Sequence, residues 1–173
     1  VKPTVFILDV DGVMTDGASY YTADGKVMKR FGPDDHDALK LLNRTLPVRF
    51  ISGDARGFDI TARRIRDDMG FPLDLVSTIQ RRRWIEERYD LSGVVYMGDG
   101  FFDALAMERV GYAIAPANAW VGAKAVANFV TQANGGDRAV AEACVHLMER
   151  FFVPLDLAAL EADDPPVAAA GTA

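Results

Sequence analysis

Apolar runs of four or five residues alternate along this chain with stretches in which apolar residues return every third or fourth position. The runs Val5–Leu8, Val48–Ile51, Leu73–Val76, Val94–Met97, Tyr112–Ala115 and Asn128–Thr131 predict strands. Their near-continuous apolar character is that of strands covered on both faces. Between them, helical spacing predicts helices over Asp34–Thr45, Arg56–Met69, Arg81–Tyr89 and Asp137–Phe152. The first opens with acidic residues at its positive dipole end. In the second, Phe58, Ala62, Ile65 and Met69 share a face and Gly70 closes it. Trp84 and Ile85 anchor the third, and Asp137 is expected to cap the fourth. Strands alternating with helices predict an α/β fold: a three-layer, Rossmann-like parallel sheet with helices on both faces.

One segment breaks the alternation. Ala18–Phe31 carries Asp24-Gly25 between β-prone arms, a strong hairpin signal. A β-hairpin flap is therefore expected just beyond the first strand, placed to overhang whatever binds there. After Phe152 the periodicity fades. Residues 1–152 are read as one domain and 153–173 as a tail, with Ala162–Ala173 disordered.

Bulk properties narrow the function. The chain has 173 residues, enough for one well-cored domain, and a net charge of −6. Such a balance offers no general basic field for nucleic acid or an anionic membrane. The single cysteine, Cys144, excludes an intrachain disulfide and fits a reducing compartment. No apolar run approaches the roughly 18 residues that span a bilayer, and the first residues lack a signal-peptide layout. A soluble, cytoplasmic protein is expected.

The candidate chemistry lies at the strand ends, where open parallel sheets bind ligands. The first strand delivers Asp9 and Asp11, two like charges that call for a cation or a shared proton. The second ends in Ser52-Gly53, a hydroxyl and a free backbone amide for an anion. Arg81, Arg82 and Arg83 follow the third, and Gly98-Asp99-Gly100-Phe101-Phe102-Asp103 follows the fourth. Carboxylates suit Mg²⁺, while a hydroxyl and a guanidinium suit phosphate. Together they describe metal-assisted phosphoryl transfer.

Asp9-Val10-Asp11-Gly12-Val13, Ser52-Gly53, an Arg near 81 and Gly98-Asp99 with Asp103 resemble, in order, the four motifs of the haloacid dehalogenase superfamily. More narrowly, Asp9 to Gly17, the hairpin ending in Lys29-Arg30-Phe31, Phe129-Val130-Thr131, Gly135-Gly136 and Ala139-Val140-Ala141-Glu142 are similar to its capless sugar-acid phosphatases. Those act on 3-deoxy-octulosonate 8-phosphate and nonulosonate 9-phosphates. The resemblance covers about residues 4–150 and implies a Mg²⁺-dependent phosphatase without a cap domain. It implies Asp9 as nucleophile and Asp11 as general acid and base. Metal ligands would be Asp9, the backbone carbonyl of Asp11, and Asp99. Ser52, Gly53 and Arg81 would hold phosphate, with Asp103 supporting them from behind. It further implies a homotetramer in which one subunit's hairpin closes a neighbour's site. The alternatives are a catalytically silent scaffold, or a phosphatase for a non-acidic sugar or nucleoside phosphate.

Where those relatives carry a lysine after the third strand, this chain has three arginines, of which Arg81 is preferred. Asp34-Asp35-His36 replaces their Arg-Asp-Gly, Asp54 replaces an Arg, and no Arg precedes Glu142. Several cations that would meet a sugar-acid carboxylate are thus absent or displaced. His36 is left open between a substrate contact and a surface residue, and Lys29 between a site residue and an exposed strand lysine. Cys144 is read as a core thiol.

Overall fold

The computed structural model describes residues 1–156 and residue 158. Strand β1 (Val5–Asp9) leads through the hairpin β2 (Tyr20–Thr22) and β3 (Gly25–Met28) into α1 (Asp35–Leu42). There follow β4 (Val48–Ser52), α2 (Phe58–Ala62), β5 (Leu73–Leu75), α3 (Arg81–Glu86), β6 (Val94–Met97) and α4 (Asp103–Met107). Then come β7 (Tyr112–Ala115), α5 (Val121–Val126), β8 (Phe129–Val130) and α6 (Ala139–Phe151). Six strands form one parallel sheet in the order β5-β4-β1-β6-β7-β8, and β2 pairs β3 separately. The predicted α/β class, the parallel sheet and the hairpin flap are all present, and among the described residues no cap domain interrupts them.

Side-chain alternation sorts the core into two layers. Phe6 and Leu8 of β1, Phe50 of β4 and Met97 of β6 face one side, where Leu39 and Leu42 of α1, Ile65, and Val140, Cys144 and Leu147 of α6 cover them. Val5 and Ile7, Ile51, Val94 and Tyr96 face the other, against Ile85 of α3, Ala106 of α4 and Ala123 of α5. Every residue of β1 is buried. Each fully buried aliphatic side chain contributes about 1.5–3 kcal/mol, so the central strand is held with little freedom to shift its register.

Three expectations needed correction. The helix expected over Arg56–Met69 changes pitch partway. After α2, Arg63–Asp68 winds as a π-helical turn, with the Met69 amide donating to the Arg64 carbonyl five residues back. The wide turn keeps Ile65 and Met69 on the core side, and Gly70 ends it at φ 76°. Helices α4 and α5 were not anticipated, because five and six residues are too few to display a period. Asp137 does not cap α6. Arg138, at φ 73°, occupies that position without a capping side chain. The α6 start is capped instead from α1, where Asp35 Oδ1 accepts from the Ala141 amide at 2.8 Å. The segment expected to be disordered, 162–173, lies outside the described residues. Phe152 and Leu155, at the domain's expected edge, pack against the core.

Candidate active site

The sheet order creates a switch point: from β1 the chain adds β4 and β5 on one side, then crosses to β6 on the other. Loops leave β1 and β6 in opposite directions there and open a crevice at the strands' carboxyl ends. Asp9, the last residue of β1, is buried at its floor. The chain then turns through Gly12 at φ 85°. A Cβ on Gly12 would lie 2.0 Å from Asp99 Oδ2, so glycine alone lets the β1 loop approach the β6 loop. Thr15 Oγ1 accepts from the amides of Gly12 (3.2 Å) and Gly17 (3.3 Å), bracing the turn.

Arg81, the first residue of α3, is buried over Asp9. Its Nη1 donates to Asp9 Oδ2 at 2.5 Å and its Nη2 to Asp9 Oδ1 at 2.9 Å. Nη1 also donates to Asp103 Oδ1. Asp103 is a four-way junction. Besides Arg81, it accepts from the Tyr96 hydroxyl (2.6 Å) and from the amides of Asp99 (3.2 Å) and Gly100 (2.8 Å). Arg82 and Arg83 point outward to Glu86 and Glu87.

Asp11 belongs to a second cluster. Its carboxylate meets Lys29 Nζ at 2.8 Å and accepts from Ser52 Oγ at 3.4 Å. The Lys29 ammonium, fully buried, also donates to Thr61 Oγ1 at 2.7 Å and pairs with Asp54 at 2.8 Å. Lys26, on β3, donates to the same Asp54 oxygen at 2.5 Å. Two hairpin lysines therefore clamp the flap onto the loops after β1 and β4 of their own chain. Among the side-chain cations of the described residues, the two motif carboxylates have different partners. Each has its own, Arg81 for Asp9 and Lys29 for Asp11, which relieves their repulsion separately.

These surroundings move the titrations. Burial raises Asp9 well above the usual carboxylate range, against the pull of Arg81. Burial and then the charge of Asp103 push Asp99 up to about 7. Burial would also raise Asp54, yet Lys26 and Lys29 bring it down to about 2. Burial, then Asp103, raises Tyr96, which keeps its proton and its hydrogen bond.

Asp9, Asp99 and Asp103 can each place one carboxylate oxygen within 4.8 Å of the other two. An all-oxygen set of three carboxylates fits a hard divalent cation. Asp103 has both oxygens engaged with Arg81, Tyr96 and two amides, and Asp9 accepts from Arg81 with both of its own, so a cation here would share Asp9 with the guanidinium. The Asp11 carboxylate lies outside this set. Around the cluster opens a cavity of about 420 Å³ whose lining includes Asp9, Asp11, Lys26, Gly53, Asp54, Thr78, Arg81, Asp99 and Phe101.

The fold thus brings Asp9, Asp11, Gly53, Arg81, Asp99 and Asp103 to one cavity, with Ser52 buried against Asp11. It leaves His36 elsewhere, edge-on to Phe71 at 6.2 Å. Sequence reasoning missed Lys26, Thr61 and Tyr96. Tyr96 had a usable signal, a hydroxyl on an otherwise aliphatic buried strand. Lys26 and Thr61 had none, since nothing local says that a flap will fold back onto the helix after β4.

No family model matches the chain. The 3-deoxy-D-manno-octulosonate 8-phosphate phosphatase KdsC of Haemophilus influenzae is 32% identical over 142 residues, covering 79% of this chain and 77% of that protein. A cobalt-bound structure of the deoxy-D-mannose-octulosonate 8-phosphate phosphatase of Haemophilus influenzae superposes with a TM-score of 0.74 at 26% identity, over 86% of this chain and 88% of that one. The Moraxella catarrhalis phosphatase in complex with magnesium, phosphate and KDO has the same fold, with a TM-score of 0.76 at 24% identity over 85% and 86% of the two chains. With its motif residues gathered at the switch point of a capless sheet, the chain belongs to the KdsC-type phosphatases of the haloacid dehalogenase superfamily.

Proposed function

We propose that this protein is a Mg²⁺-dependent phosphomonoesterase acting on a small sugar or sugar-acid phosphate through a phosphorylated Asp9. The carrying observation is the pair of clusters that meet at one cavity: Asp9 with Arg81, Asp99 and Asp103, and Asp11, which Lys29 and Ser52 hold from behind. In this reading Asp9 attacks phosphorus, so one hard displacement becomes two easier ones. Asp11 protonates the leaving alcohol and then takes the proton of the water that frees Asp9. Ser52 and the Gly53 amide hold phosphate oxygens, and Arg81 turns its guanidinium between Asp9 and the incoming phosphate. Asp103 keeps Arg81 and the Asp99 loop in place. Asp9, the Asp11 carbonyl and Asp99 would hold Mg²⁺, which supplies positive charge between nucleophile and phosphate.

A cytoplasmic location is in keeping with the buried free thiol of Cys144 and with the absence, among the described residues, of a helix able to cross a membrane. Homotetramerisation, as in the capless relatives, is supported by the exposed apolar side chains of the hairpin: Tyr20, Tyr21, Val27 and Met28. The lysines hold the hairpin base in its own subunit and leave those residues free for a neighbour.

A second reading, a silent scaffold, draws on one observation: both oxygens of Asp9 accept from Arg81. Phosphate release from p-nitrophenyl phosphate decides between them. Turnover that needs Mg²⁺, stops with EDTA and is abolished in Asp9→Asn supports the phosphatase. Retained turnover in Asp9→Asn removes the nucleophile assignment, and no turnover in the wild type with Mg²⁺ leaves the scaffold.

A further inference from the structure

The cavity has two kinds of wall, and neither is built to receive an acid group. Its lining contains the cations Lys26 and Arg81, and both are already engaged. Lys26 donates to Asp54, and Arg81 divides itself between Asp9 and Asp103. Lys29, just behind, is satisfied by Asp11, Asp54 and Thr61. A phosphate would still find Ser52, the Gly53 amide and a divalent cation. Among the described residues lining the cavity in one subunit, a carboxylate elsewhere on the same molecule would face Asp54 and Asp11 with no uncommitted side-chain cation, and would lose hydration without replacement.

The other wall is aromatic. Phe101 and Phe102 sit at the cavity mouth, edge to face at 5.2 Å, and Trp120 backs Phe101 at 4.7 Å. Both phenylalanines keep exposed surface, 62% for Phe101 and 39% for Phe102. Rings in that position offer a flat apolar face beside the phosphate site, suited to the C–H face of a sugar ring.

Resting on the phosphatase reading above, we infer that the substrate is the phosphate monoester of an uncharged sugar, laid on Phe101 and Phe102. The Lys26–Asp54 pair acts as a specificity device: it presents a neutralised surface where a sugar acid would need a free cation.

Two matched ester pairs test this in the protein with Mg²⁺: the α and the β anomer of glucose 1-phosphate, each against the same anomer of glucuronic acid 1-phosphate. The uncharged member of each pair should have a kcat/KM about tenfold higher or more, the effect of leaving one carboxylate unpaired. Equal or reversed values overturn the inference. Asp54→Asn, which releases Lys26, should shrink that ratio several-fold; an unchanged ratio would place the selectivity elsewhere and also overturn it. Phe101→Ala, at an exposed position, should lower kcat/KM for the glucose esters about fivefold relative to methyl phosphate, which has no ring to stack. No change in that comparison removes the aromatic wall from the proposal. If p-nitrophenyl phosphate and all these esters stay intact, the phosphatase reading fails and takes this inference with it.

Discussion

Arg81 grips Asp9 through two nitrogens, at 2.5 and 2.9 Å, while one of the same nitrogens holds Asp103. Among the described residues, the guanidinium is the sole positive charge bound to those two buried carboxylates. Burial opposes its charge, but Tyr96, Asp9 and Asp103 raise its pKa further still. Removing it with Arg81→Met should strand both carboxylates and cost about 3–5 kcal/mol of stability. Arg81→Lys keeps the charge without the two-pronged geometry and should cost clearly less, with reduced but measurable turnover. Urea unfolding of the two variants checks this. Equal stabilities would mean that the fork contributes nothing beyond its charge, or that Asp9 and Asp103 simply take up protons.

Tyr96 supports this arrangement from beneath, through a hydroxyl 2.6 Å from Asp103. Tyr96→Phe preserves the ring and deletes one hydrogen bond to a carboxylate. The expected loss is about 1.5–3 kcal/mol of stability, with kcat falling several-fold as Arg81 loosens. A variant with wild-type kcat would show that Asp103 needs no help from the strand.

Lys29 joins flap and site. Lys29→Met keeps much of the side-chain volume but leaves Asp11 without its cation and frees one of the hairpin's two anchors. We expect kcat to fall about tenfold or more, with faster protease cleavage within 20–28. Limited proteolysis and initial rates measure the two effects separately. Loss of activity with unchanged cleavage would mean that Lys29 acts on Asp11 alone.

Asp35 gives a pH signature. It is buried and caps α6 with one oxygen, while its other oxygen has no partner in the structure. Burial raises its pKa to about 6 in the fold, above the ordinary value of 3.8. The folded state thus binds this proton more tightly than the unfolded chain does. Its contribution to stability is complete below about pH 4 and is lost as pH rises through 6. Asp35→Asn should flatten that slope and unfold at higher denaturant than the wild type at pH 7.5. Asp35→Ala should lose the cap as well, about 1 kcal/mol. An identical slope in Asp35→Asn would assign the titration to another group.

Much of this was legible in the chain beforehand, for definable reasons. All six sheet strands are short apolar runs bounded by turn residues, so composition alone set them apart from the helices. Gly98-Asp99 and Asp103 could be read because a strand end and a spacing of four place both carboxylates at one edge. Arg81 was separable from Arg82 and Arg83 only as the residue nearest the third strand, and its two-pronged hold on Asp9 is a tertiary fact. The same is true of Lys26 on Asp54. Pairing between a flap and a loop 28 positions away leaves no periodic trace. The expected Asp137 cap fails because the acceptor that caps α6, Asp35 Oδ1, lies on another helix, while Arg138 takes the cap position at positive φ.

That distant cap has a consequence for how the chain is assembled. Helix α6 finds the acceptor for its starting amide 106 positions earlier, so during synthesis that acceptor emerges long before the helix it caps. Until then the apolar layer around Phe6 and Leu8 is missing a principal cover. A nascent chain halted before α6 would be a substrate for chaperones, whatever the state of its catalytic loops.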